Sequence, residues 1–114
     1  MNENLVHLTC PEKLLHTWSK RETEFFHFAN IVLGHIDRYT IPQYGDAPSD
    51  EVESWSAKQC VLAIQKYTKR FPVAQRGRLE LLRDLVKIAH FACLAFGKVN
   101  ATEEDIRKIK EGKV

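Results

Sequence analysis

Six cations, Lys58, Lys66, Lys69, Arg70, Arg76 and Arg78, lie between Ser54 and Leu79 with no acid among them. The preceding stretch, Gln43 to Glu53, carries Asp46, Asp50, Glu51 and Glu53 and no cation. The net charge of the whole chain is only +2, so any electrostatic work must be local. Gathered lysines and arginines raise a positive potential that recruits phosphates or an acidic partner. Arg offers a planar fork for two oxygens and Lys a mobile point charge. The bland alternative is a solvated helix face whose charge bias does nothing.

A second constellation follows. Glu80, Arg83, Asp84 and Lys87 fall on one stripe of a helix, where such spacing usually makes weak surface ion pairs. The sharper reading is a polar seam between two helices. In it Asp84 orients Lys66, Arg70 or Tyr67, while Lys87 and His90 face a ligand. The site expected on this reading comprises Lys66, Tyr67, Lys69, Arg70, Arg83, Asp84, Lys87 and His90.

Other chemistries have weaker support. Glu24 and His27 are spaced as in half of a di-iron motif, but no second copy exists. Cys10, Cys60 and Cys93 form no CxxC pair and read as reduced thiols. No nucleophile has a base partner at a recognisable spacing, and there is no glycine-rich phosphate loop. Neither a metal nor another cofactor is expected. A magnesium-dependent nucleotide pyrophosphohydrolase would pair a Glu-x-x-Glu helix with a Glu-x-x-Asp helix. Here Asp50-x-x-Glu53 precedes Glu80-x-x-x-Asp84, and the extra residue turns the second carboxylate by about 100°. That enzyme stays a minor alternative, requiring Glu53, Glu80 and Asp84 to converge.

These groups need a scaffold. A chain of 114 residues, 44% hydrophobic and 28% charged, builds one globular domain rather than a disordered tail. Apolar residues recur at helical spacing and no strand pattern competes. The expected fold is all-α: a single domain spanning residues 1–114, an antiparallel bundle of three main helices plus a short C-terminal helix. Thr9 and Glu12 frame a capping box before Leu14, Trp18, Phe25, Phe28, Ala29, Val32 and Ile36, which share one stripe. This predicts a first helix over residues 11–38, about 40 Å long. Ser19 and Glu22 offer a second capping box that could restart it. Residues 39–50 read as a loop.

A second helix over residues 50–71 follows, capped by Ser49 or Asp50. Its apolar face is Ala57, Cys60, Val61, Ile64, Tyr67 and Phe71. Lys58, Gln59, Gln65, Lys66, Lys69 and Arg70 lie opposite, and Pro72 ends the element. A third helix over residues 78–96, with Gly97 as its cap, is apolar all round from Ile88 to Phe96 and is expected at the centre. Thr102 opens the last helix, anchored by Ile106 and Ile109.

No apolar run approaches the ~18 residues of a membrane span, and the N-terminus lacks the pattern of a secretory signal. A cytoplasmic protein without a membrane partner is expected.

Trp55, the run Ala63-Ile64-Gln65-Lys66-Tyr67-Thr68-Lys69-Arg70 and the run Asp84-Leu85-Val86-Lys87-Ile88-Ala89-His90-Phe91 resemble a pattern in small uncharacterised phage and prophage proteins. Those carry an Ala-Ile-x-Lys-Tyr-x-x-Arg helix followed by an Asp-Leu-x-Lys-x-x-His-Tyr helix. Here Phe91 stands in place of the tyrosine. The likeness covers roughly a third of the chain and does not reach the first helix. It implies a mobile-element origin and Lys66, Tyr67, Arg70, Asp84, Lys87 and His90 as a shared site. It brings no secure activity.

Two functional expectations follow. The favoured one is a binding protein rather than an enzyme, holding a nucleotide, a polyanion or an acidic protein on its basic helical face. The other is an adaptor or homodimer working through the exposed end of the first helix and the terminal helix.

Overall fold

The computed structural model describes residues 17–46, 51–73 and 77–113. All regular structure among them is helical, so the all-α expectation holds. The chain divides into two compact units, Met1–Gly45 and Asp46–Val114. The expected caps at Thr9, Ser49 and Asp50, the residues Cys10 and Leu14, and Arg76 lie outside the described residues.

In the first unit, helix α1 spans Lys20–His35. It does not run unbroken from residue 11. Ser19 is extended, at φ −67° and ψ 167°, and caps α1. The Ser19 hydroxyl accepts from the Glu22 N–H at 3.1 Å and the Glu22 carboxylate accepts from the Ser19 N–H at 3.0 Å. This reciprocal box satisfies two orphan donors, and the restart prevails over the continuous stripe. At 16 residues α1 is about 24 Å long, not 40 Å. Phe25, placed on the inward stripe by periodicity, is exposed, whereas Phe26 is half-buried with Trp18 edge-on to it at 5.2 Å.

The predicted loop over residues 39–50 is helical in its first half. After α1 the ladder widens into a π-turn over Ile36–Thr40, followed by α2 at Ile41–Tyr44. The Ile41 N–H reaches back to the Ile36 carbonyl, five residues away. Pro42 has no N–H to give and its ring crowds the preceding turn. At the start of α2 no donor is demanded of it, and the wide turn before it lies where an ordinary ladder would be strained. Gly45, at φ 90°, ends the run, a conformation that costs glycine little.

In the second unit, α3 spans Ala57–Arg70 and α4 spans Arg78–Val99. The second helix does not start at residue 50. A 3₁₀ turn, Glu51–Ser54, comes first, and Ser56 caps α3 in a box with Gln59. The third helix passes through Gly97 and stops at Asn100, which is left-handed at φ 60°. Asn tolerates that conformation better than most residues. α5, Glu103–Lys110, starts at its predicted Thr102 cap.

α3 and α4 run antiparallel. The end of α3 meets the start of α4 through Arg70 and Asp84, and the Glu53 carbonyl before α3 accepts from Lys98 near the end of α4 at 3.0 Å. Between them Cys60, Val86 and Ala95 are buried. Trp55 and Phe91 stack at 5.9 Å and Tyr67 lies 6.1 Å from the same Phe91 ring. The second half of α4 is not buried all round: Cys93, Phe96 and Val99 are exposed. The expected anchors Ile106 and Ile109 are also exposed.

Candidate functional site

The last turn of α3 faces the first three turns of α4, and the charged residues of both meet there. Arg70 stands at the edge of α3, 120° of arc from Lys58 at 100° per residue, so its long side chain reaches the seam. Its Nε donates to Asp84 Oδ2 at 2.7 Å and its Nη2 to Asp84 Oδ1 at 2.5 Å. This is the two-pronged guanidinium–carboxylate geometry. Asp84 is only 3% exposed, and burying a carboxylate without such a partner would cost several kcal/mol. The bond to Asp84 raises the Arg70 pKa above its ordinary value, so Arg70 stays charged throughout.

Glu80 sits one turn earlier and gathers three cations. Arg70 Nη2 lies 3.6 Å from it, Arg83 Nη1 3.7 Å and Lys87 Nζ 3.9 Å. The Tyr67 ring is surrounded in turn. The Arg70 guanidinium lies 4.9 Å from its centroid, Lys87 Nζ 5.6 Å and Lys66 Nζ 5.9 Å. The negative face of an aromatic ring attracts cations at these distances. The seam therefore brings Lys66, Tyr67, Arg70, Asp84 and Lys87 together as expected, with Arg83 joined through Glu80.

Two residues stand apart. Lys69 remains on the exposed flank of α3 with Lys58. His90 is half-buried three residues beyond Lys87, its ring 6.5 Å from Phe91. Arg70, expected on the outward basic face, instead belongs to the packed edge. Lys58, Lys66 and Lys69 form no ion pair among the described residues.

Sequence reasoning missed the Trp55–Phe91–Tyr67 row, which leads from the far end of the helix pair to the charged end. Tyr67 on the predicted apolar face was the available signal. The three carboxylates of the pyrophosphohydrolase reading do not converge. The Glu53 backbone is tied to Lys98, which lies 14 residues or about 21 Å along α4 from Asp84. No group of three or more His, Cys, Asp or Glu that could hold a metal exists among the described residues. No described helix is long and apolar enough to cross a membrane.

No protein-family model matches this chain, and no curated protein or solved structure matches it either.

Proposed function

We propose that this chain is a small anion-binding protein that holds a phosphate-bearing or acidic partner beside Tyr67. The observation that carries the reading is the ring of cations. Lys66, Arg70 and Lys87 all lie within 6 Å of one aromatic centroid. Asp84 fixes the Arg70 fork in place, which reduces the ordering cost of binding. Lys66 and Lys69 are exposed and supply mobile charge. Glu80 and Asp84 offset part of the positive field, favouring a compact anion of a few charges over a long polymer. The absence of an exposed aromatic on the Lys58–Lys69 flank argues against stacking of single-stranded nucleic acid. A mobile-element origin is part of this proposal and rests on the short motifs of α3 and α4.

The test uses tripolyphosphate as probe. Binding measured by calorimetry should weaken steeply with salt, because bound counterions are released. At about a hundred times its dissociation constant the ligand should add roughly 2.7 kcal/mol of stability. The double reversal Lys66→Glu with Lys69→Glu should abolish binding while leaving the helices intact. Affinity that survives the reversal sinks the proposal.

A further inference from the structure

α4 carries two unlike stripes. One holds Asp84, Phe91, Ala95 and Lys98 and packs on α3. The other holds Leu82, Leu85, Ala89, Ala92, Phe96 and Val99, spaced alternately three and four residues apart. That alternation is the repeat of a helix–helix seam. Yet its large members are open to water: Leu85 is 39% exposed, Phe96 51% and Val99 66%.

The order of sizes along this stripe is large, large, small, small, large, large. It reads the same from either end. Two crossing helices are closest at the crossing point and diverge beyond it. Small side chains suit the middle of such a contact and large ones fill the widening ends. A reversed copy of the same stripe provides this match. Ala89 then meets Ala92, Leu85 meets Phe96 and Leu82 meets Val99. Such a contact is isologous, with a two-fold axis at its centre.

Charge agrees with size. Arg78 is exposed at the start of α4, and Glu103 is exposed just past its end, at the start of α5. Reversal brings Arg78 of one copy to the end of α4 in the other, where Glu103 follows within four residues, twice per pair. The exposed apolar part of the stripe amounts to on the order of 500 Å² and a pair would bury about 1,000 Å², the lower limit for a specific interface. We infer that this face is the contact of a homodimer in which two α4 helices cross antiparallel at Ala89 and Ala92. It uses neither α1 nor the Tyr67 site and stands apart from the anion-binding reading.

The full chain is weighed by multi-angle light scattering between about 1 µM and 200 µM, where an interface of this size should associate. The mass should climb from 13.2 kDa to twice that value. Ala92→Glu, at an exposed site, should keep its helicity by circular dichroism yet dimerise at least a hundredfold more weakly, roughly, because it sets two unpaired charges in the contact. Arg78→Glu or Glu103→Arg alone should weaken the dimer about three- to tenfold and the combined swap should restore it. A mass of 13.2 kDa at every concentration overturns the inference. A dimer indifferent to Ala92→Glu uses another face. Single reversals that the swap does not rescue exclude the antiparallel register.

Discussion

Lys69 and Arg70 are adjacent in sequence and opposite in situation. Lys69 is exposed on the outer flank of α3, while Arg70 is clamped by a buried carboxylate and leans over Tyr67. Both add one positive charge to the same run. One stands in solvent as a mobile cation. The other is part of the joint between α3 and α4 and contributes direction as much as charge. A count of cations cannot separate these roles, because the difference is set by Asp84, fourteen residues further on.

Stability measurements should break the comparison if it is wrong. Arg70→Ala leaves Asp84 buried without its donors and should cost about 2–3 kcal/mol, less than for a fully enclosed pair because Arg70 retains contact with water. Lys69→Ala should stay within about 0.5 kcal/mol. Urea unfolding of both variants decides the matter, and equal losses would erase the distinction. The next largest effect is on binding. Lys66→Glu with Lys69→Glu should abolish measurable tripolyphosphate binding, with unfolding unchanged to within about 0.5 kcal/mol.

Glu80→Gln sharpens the contrast further. Removing the carboxylate that gathers Arg70, Arg83 and Lys87 should cost about 1 kcal/mol of stability yet tighten anion binding about two- to threefold, since one opposing charge is gone. A loss on both counts would make Glu80 part of the binding surface rather than its counterweight. The smallest effect belongs to α5, away from the seam. There Asp105 accepts from the Thr102 N–H, and this bond with the Thr102 hydroxyl holds its carboxyl below the usual range. Because the folded value is depressed, the cap contributes fully above about pH 4 and is lost as pH falls further, through the folded value. Helicity followed by circular dichroism should show α5 fraying in that acid window before α3 and α4 melt.

Periodicity made the helical class legible, together with the start of α4 and the Thr102 cap. It also placed Asp84 beside Arg70 on the seam reading. It failed where local chemistries compete. Ser49, Asp50 and Ser56 can all cap a helix, and it is Ser56, in reciprocal bonds with Gln59, that starts α3. Gly97 is a better stop than Asn100 by propensity, but α4 runs on through it at a cost of about 1 kcal/mol for the glycine, and Lys98 just beyond it donates to the Glu53 carbonyl. Arg70 was assigned by angle alone, and its reach exceeds the width of the stripe. The openness of Phe96 and Val99 was hidden because an all-apolar segment reads equally well as a buried core or as a surface shared with a neighbour.

The wide turn at Ile36–Thr40 has a genetic corollary. It holds one amino acid more than an ordinary coil needs, so every position after it is rotated one place about the axis. A single-codon deletion between Ile36 and Thr40 would regularise the ladder but drive the Pro42 ring onto the carbonyl behind it. A deletion paired with Pro42→Ala would relieve both faults. Variation here should therefore be tolerated in couples, with length and proline changing together.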